Sequence, residues 1–278
     1  MTVNEALKTA RERLRDVPEP KLDAEYLLAH VLGVDRLALL MDKGRVLSEK
    51  ELSAFDGLVS QRAARQPLQY ILGSQGFMGF SFKTDARALI PRFDTEALCE
   101  EALRHIRPGS RVLDLCTGTG CLAVSVKKLC PGAEVTGTDI SADALSLARE
   151  NAEALGADVR FLWGDLFAPV ENERFHVIVS NPPYIPEDLK GALQAEVEKE
   201  PPLALFAGPD GLSFYRRIAR EAPCHLLDGG YLCLETGDGE ADAVMDLLRQ
   251  DFEDIRVLPD LGGLPRVVSA RKKEASAP

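Results

Sequence analysis

Four consecutive residues, Asn181-Pro182-Pro183-Tyr184, carry the most specific chemistry in this 278-residue sequence. The Asn181 side-chain oxygen and the Pro182 carbonyl can each accept one hydrogen of a planar nitrogen, and Tyr184 can stack on its face. The prolines fix φ and donate no backbone N–H, so the turn is stiff and presents the Pro182 carbonyl in one orientation. A planar nitrogen is a poor nucleophile because its lone pair is delocalised. Two acceptors would orient it toward an electrophile and stabilise the positive charge developing on it. Positioning would supply most of the rate, with proton loss during or after transfer and no dedicated histidine. Most Pro-Pro dipeptides are plain loop punctuation. This one directly follows the apolar run at residues 176–180, in a sheet whose first strand carries a ligand loop, and that position argues for chemistry.

The ligand loop is Asp114-Leu115-Cys116-Thr117-Gly118-Thr119-Gly120, after which Cys121, Leu122, Ala123 and Val124 open a helix. Gly118 and Gly120 let the backbone pass close under a ligand with no Cβ in the way. Asp139 ends the next strand, placed to accept hydrogen bonds from a ribose. The same spacing satisfies the dinucleotide fingerprint of a nicotinamide dehydrogenase. S-adenosylmethionine is favoured by two additions: the Asp114 carboxylate ahead of the glycines, suited to an amino group, and Asp165-Leu166 after the third strand, placed to meet an adenine. A plainer reading has the glycines make a tight turn while Asp139 caps the next helix with Ser141. The unbroken order of strand, glycine loop, helix, strand and acid weighs against it.

These groups need a parallel sheet to bring them together. Apolar runs at residues 111–115, 134–138, 159–163, 176–180, 231–235, 255–258 and 266–270 alternate with helical segments, which predicts an α/β fold with a mostly parallel sheet and helices on both faces. The last two runs lie too close together for a helix between them and should pair as an antiparallel edge hairpin. Seven strands ending in such a hairpin is the class I, Rossmann-like methyltransferase form of the doubly wound sheet. Ahead of it the pattern is helical. Thr2 and Glu5 have capping-box spacing before Val3, Ala6, Leu7, Ala10 and Leu14; Pro18 and Pro20 end that helix. A second helix runs from about Asp23 to Gly33, and a third follows the Ser48/Glu51 box. The expected organisation is a helical-bundle recognition domain over residues 1–66, a β-hairpin linker over 67–92 with β-prone runs at 69–72 and 76–82, and a catalytic domain over 93–278. The tail from Arg271 is polar and expected to be disordered.

A hydrophobic content of 45% is enough for a sizeable core. No apolar stretch approaches the ~20 residues that span a bilayer, and the first fifteen residues are a charged amphipathic segment, so a soluble cytoplasmic protein is expected. The net charge of -11 argues against a broad nucleic-acid surface. Six cysteines contain no CxxC pair, and the four histidines have no metal or triad spacing, so no metal is expected.

Over essentially its whole length the sequence resembles the bacterial release factor glutamine methyltransferases. Beyond the Asn181 loop, the likeness rests on Asp23-Ala24-Glu25 with Leu27-Leu28, Gln66-Pro67-Leu68-Gln69-Tyr70 with Gly73, and Leu89-Ile90-Pro91-Arg92-Phe93-Asp94-Thr95-Glu96. It continues through Glu200-Pro201, Ala204-Leu205, Asp210-Gly211-Leu212, Leu234-Glu235 with Gly237, and Asp260 with Gly262, Arg266 and Val267. The resemblance implies methyl transfer from S-adenosylmethionine to the N5 amide of the glutamine in the Gly-Gly-Gln motif of class 1 peptide chain release factors. It places cofactor contacts at Cys116, Thr117, Gly118, Thr119, Gly120, Asp139, Leu166 and Asn181, with Asp114, Phe93 and Asp165 as further additions. Glutamine contacts fall at Asn181, Pro182, Pro183 and Tyr184, of which Asn181, Pro182 and Tyr184 are the catalytic set. The sequence departs from the family pattern at Phe93, often Pro; at Leu166, where an aromatic can occur; and at Glu240, near an expected Gln. Arg92 and Glu96 read either as a structural ion pair at the domain junction or as direct substrate contacts. The expected partner is the release factor itself, with no direct nucleic-acid or membrane contact and a monomeric chain. A ribosomal-protein glutamine methyltransferase, or an N6-adenine methyltransferase of nucleic acid, would use the same tetrapeptide chemistry.

Overall fold

The computed structural model describes residues 1–260 and 262–274. The chain forms two compact units, one of Met1–Ser74 with Gln194–Lys199, the other of Gln75–Leu193 with the chain from Glu200 onward.

The first unit is helical: α1 (Val3–Arg13), α2 (Pro20–Leu32), α3 (Arg36–Met41), α4 (Glu49–Ala63) and α5 (Leu68–Leu72). Both capping boxes form, with Thr2 and Ser48 each accepting from the N3 backbone and Glu5 and Glu51 reaching back. Leu14, Leu27, Leu28, Phe55 and Val59 make its core. Pro20 starts α2 and does not merely end α1, because a proline at the first helical position lacks only an N–H that had no partner there. The strand expected at residues 69–72 is the helix α5: Pro67 supplies a preset φ of -52° at its N-cap, and Gly73 closes it in the left-handed region at φ 75°. Glu196, from the second stretch of this unit, accepts from Arg62 at 2.7 Å and Arg65 at 2.6 Å, and Arg62 also donates to Asp23 at 2.7 Å. A short segment over a hundred residues away in sequence thereby belongs to the helical unit.

The second unit holds a two-stranded hairpin, β1 (Ser74–Phe77) and β2 (Phe80–Lys83), then α6 (Asp94–His105), β3 (Arg111–Leu115), α7 (Cys121–Leu129), β4 (Glu134–Asp139), α8 (Ala142–Leu155), β5 (Val159–Trp163), β6 (Phe175–Ser180), α9 (Ser213–His225), β7 (Leu226–Glu235), α10 (Ala241–Leu248), β8 (Phe252–Pro259) and β9 (Pro265–Lys272). The large sheet has seven strands in the order β5-β4-β3-β6-β7-β9-β8; β9 runs antiparallel to both its neighbours and the other pairs are parallel. The edge hairpin is therefore present, with β8 outermost. β9 takes in Arg271 and Lys272, which the sequence assigned to a disordered tail; residues 275–278 of that tail lie outside the described residues.

Alternation along the central strands builds a core on each face. Val112, Val177 and Val179 pack with Leu98, Ala102 and Val124, while Leu113, Leu115 and Ile178 pack with Tyr215, Ile218 and Leu232. From β3 the chain moves outward through β4 and β5, then returns to β6 on the other side of β3. That reversal opens a crevice at the C-terminal ends of β3 and β6, where doubly wound sheets bind ligands.

Candidate active site

The register of β3 and β6 pairs Leu115 with Ser180, so Cys116 and Asn181 leave the sheet side by side. The loop after β3 turns back sharply. Cys116 has φ 59°, Thr117 donates its N–H to the Thr138 carbonyl at 3.0 Å, and Gly120 N–H bonds the Thr117 carbonyl at 2.8 Å. Gly120 caps α7 at φ 79°, and a Cβ there would stand 3.1 Å from Ala148 Cβ, so only glycine lets α7 and α8 approach this closely.

Asp114 is fully buried and does not line the cavity. Its Oδ2 accepts from the Thr117 hydroxyl at 2.6 Å and from the Ala123 N–H at 3.2 Å in the first turn of α7. It shapes the loop from behind, and the direct cofactor contact expected of it gives way to this brace, because its strand position faces the core shared with Val112. Burial pushes its pKa up to about 7 against those two hydrogen bonds, and its Oδ1 has no partner among the described residues.

Asp139 does line the cavity, and it also fixes the loop: Oδ2 accepts from the Gly118 N–H at 2.9 Å and Oδ1 from the Ser141 N–H at 2.9 Å. Burial raises its pKa while those backbone donors oppose the rise. Its spare lone pairs suit a diol donor. Thr117, Gly118, Thr119, Cys116, Asp165 and Leu166 share the same cavity wall. Leu166 has φ 46°, and its carbonyl is pinned by the Thr138 hydroxyl at 3.1 Å; Asp165 pairs with Arg217 at 2.8 Å. The Cys121 thiol, also on the wall, is pushed by burial up to about 12, which leaves it protonated and unfit as a nucleophile.

Asn181 and Pro183 line the cavity; Pro182 is buried beside them. The Asn181 Nδ2 donates to Thr95 Oγ1 at 3.2 Å, which leaves the Asn181 Oδ1 to accept from a ligand. Tyr184 lies off the cavity, its ring so close to Gly237 that a Cβ there would stand 3.0 Å from Cδ2. Burial holds the Tyr184 hydroxyl above its ordinary pKa, so it stays protonated. Phe93 is exposed and off the cavity wall. Arg92 and Glu96 do not pair with each other: Arg92 pairs with buried Glu200, and Glu96 accepts from the Met78 N–H at 2.7 Å. Glu240, the departure from the expected Gln, accepts from the Gly237 N–H at 2.9 Å, a bond for which its acidic oxygen serves as well as an amide oxygen.

Sequence reasoning gave no role to Thr95, Glu235 or the apolar wall of Ile90, Leu203 and Phe214. One signal for Glu235 was available: an acid closing an apolar strand beside the strand that ends at the tetrapeptide.

Two family models match the chain, the PrmC N-terminal domain over residues 5–73 and the methyltransferase small domain over residues 92–198. A release factor glutamine methyltransferase of Geobacter sulfurreducens is 45% identical over 97% of this chain and 96% of its own length. That of Deinococcus radiodurans is 45% identical over 95% of each. The chain belongs to the release factor glutamine methyltransferase family. Fold comparison agrees on a methyltransferase sheet: a Pyrococcus furiosus methyltransferase superposes with TM-score 0.57 at 21% identity over 77% of this chain and 99% of that one. A T. thermophilus 16S rRNA methyltransferase, solved with AdoMet and guanosine, gives TM-score 0.51 at 23% identity over 72% of this chain and 50% of that one. In this release factor glutamine methyltransferase one cavity is lined by both the Gly118 loop and Asn181 with Pro183.

Proposed function

We propose that this protein transfers the methyl group of S-adenosyl-L-methionine to the N5 amide of the glutamine in the Gly-Gly-Gln motif of class 1 peptide chain release factors. The observation that carries the reading is the anchored Asn181 amide in the cavity wall, with its N–H held by Thr95 and its oxygen left to accept. The residues present fit this cofactor. Asp139 offers carboxylate lone pairs to a ribose diol, the Gly118–Gly120 backbone leaves room for a close approach, and Leu166 with Ile140 gives an apolar wall for an adenine face. Bound there, S-adenosylmethionine supplies an electrophilic methyl whose S–CH3 bond breaks as the N–CH3 bond forms.

The chain's own contribution is positional. Asn181 Oδ1 and the Pro182 carbonyl accept the two amide hydrogens, which turns the nitrogen lone pair toward the methyl and stabilises the charge developing on nitrogen. One of those hydrogens leaves as a proton once nitrogen carries the methyl. Cys116 and Cys121 remain thiols and take no part. Asp165 pairs with Arg217 at 2.8 Å, and both line the cavity.

The helical unit with its Glu196 clamp is the proposed recognition domain for the body of the factor. A monomer working in the cytoplasm is the proposed setting; among the described residues no helix is long and apolar enough to cross a membrane. The test presents release factor, duplex DNA and RNA together to the enzyme with labelled S-adenosylmethionine. Label on the release factor supports the reading, and label on nucleic acid contradicts it.

A further inference from the structure

Asn181 can hold an acceptor nitrogen only if its amide presents oxygen, not NH2, to the cavity, and an amide can rotate by half a turn at little intrinsic cost. Something must choose the rotamer. Beside Asn181 stand two buried residues, of which Thr95 itself lines the cavity. Thr95, in the first turn of α6, is 2% exposed, and Glu235, the last residue of β7, is 1% exposed. The β6–β7 register pairs Ser180 with Leu234, so Asn181 and Glu235 are the next residues on neighbouring strands. Asn181 Nδ2 reaches Thr95 Oγ1 at 3.2 Å, and the Thr95 hydroxyl holds the Glu235 pKa down against burial, as a donor to that carboxylate does.

We infer that Thr95 and Glu235 form a positioning relay that fixes the Asn181 amide with its oxygen toward the acceptor glutamine, an inference that rests on the function proposed above. The reasoning is a count of hydrogens. A threonine hydroxyl has one hydrogen and two lone pairs, and an ionised carboxylate has lone pairs alone. Once ionised, above about pH 7, Glu235 can only accept, so the Thr95 hydrogen then points to Glu235. The side of Thr95 Oγ1 that faces Asn181 then has no hydrogen to give. It can accept an N–H from Asn181, but a rotated amide presenting Oδ1 would set two lone pairs against each other. Without Glu235 the Thr95 hydroxyl is free to turn and donate to Asn181, and the rotated amide, with NH2 toward the substrate nitrogen, becomes available. Burial of both residues sharpens the choice, because an unsatisfied polar group has no water to turn to. The second Glu235 oxygen has no hydrogen-bond partner among the described residues.

The test uses Thr95→Val, which keeps the shape and removes the hydroxyl, beside Thr95→Ser, which keeps it, and Glu235→Leu alone and combined with Thr95→Val. With release factor as acceptor, Thr95→Val is expected to lower kcat by about 10- to 100-fold, the scale of losing one preorganised group at a reacting centre. Cofactor Kd and the KM for release factor should stay within about threefold of wild type, because only positioning at the reacting nitrogen is lost. Thr95→Ser should return to near wild-type kcat. Glu235→Leu should add little to Thr95→Val, since the two act in series. Independently of turnover, the Asn181 side-chain amide cross-peak in a 1H–15N spectrum should shift in Thr95→Val and stay in place in Thr95→Ser. The relay is overturned if wild type methylates release factor and Thr95→Val does so equally fast, if Thr95→Ser is as slow as Thr95→Val, or if the two substitutions multiply as independent defects. A wild-type enzyme that binds cofactor but leaves release factor unlabelled would instead bring down the functional reading itself.

Discussion

Leu115 and Ser180 are register partners in the parallel pair β3–β6, and the Ser180 hydroxyl donates to the Leu115 carbonyl at 2.8 Å. The bond ties together the last residues of the two strands from which the cofactor loop and the tetrapeptide emerge. It fixes the level of Asn181 relative to Cys116. Ser180→Ala should lower stability by roughly 1 kcal/mol, the net worth of one buried hydrogen bond. It should also lower kcat, since slack at this junction shifts Asn181 against Cys116. Chemical denaturation and steady-state kinetics on the same sample check both.

In the proposed mechanism, Asn181→Ala removes the acceptor that orients the reacting nitrogen. The expected outcome is a fall in kcat of at least about a hundredfold with S-adenosylmethionine affinity held within a few-fold. Calorimetric titration of the cofactor beside single-turnover rates would show the split, and a parallel loss of cofactor binding would argue that Asn181 mainly holds the donor.

Asp114 makes the opposite prediction. Because it braces Thr117 and Ala123 from behind the loop, Asp114→Ala leaves a hydroxyl and a helix N–H without their acceptor. A destabilisation on the order of 1–3 kcal/mol follows. Cofactor Kd should rise by about tenfold or more, since 1.4 kcal/mol of lost loop order corresponds to one decade. The variant's kcat at saturating cofactor should change less than its Kd.

Glu235 supplies a pH signature. Burial raises its pKa from the ordinary 4.5 to about 7; the Thr95 hydrogen bond and the charges of Arg266 and Arg92 oppose the rise, and Asp94 adds to it. The native state thus holds a proton that the unfolded chain releases first. Its relative contribution to stability is fully present below pH 4.5 and is lost as pH climbs through about 7, an effect on the order of 3 kcal/mol. Asp114, pushed up to about 7, titrates in the same sense. Melting temperature should therefore fall from pH 5 to pH 8, with Glu235→Gln flattening the fall by about half. An unchanged slope in that variant would show that Glu235 ionises freely in the folded protein.

Much of this molecule is legible in the sequence because its central strands are largely buried on both faces and so read as short, mostly apolar or β-prone runs. All seven strands, the glycine turn and the tetrapeptide lie where spacing puts them. What spacing could not give is register. Thr95 stands 86 residues from Asn181 in sequence, and nothing local marks it as a partner. Alternation could have turned Asp114 away from the ligand, since it shares the inward face of Val112, but a carboxylate before a glycine loop invites a ligand role. The helix at Leu68–Leu72 was hidden by β-prone Tyr70 and Ile71, and its punctuation by Pro67 and Gly73 is what decides it. The return of Gln194–Lys199 to the helical unit rests on the long-range Glu196 clamp, which has no sequence signature at all.

The central claim is that the planar nitrogen is the side-chain amide of one glutamine. Its most direct measurement is transfer of labelled methyl from S-adenosylmethionine to purified class 1 release factor, wild type beside a variant with the Gly-Gly-Gln glutamine replaced, followed by peptide mass spectrometry. Label confined to the wild-type factor, on the peptide carrying that glutamine, is the predicted result. Label on both factors, or on neither, would contradict the account.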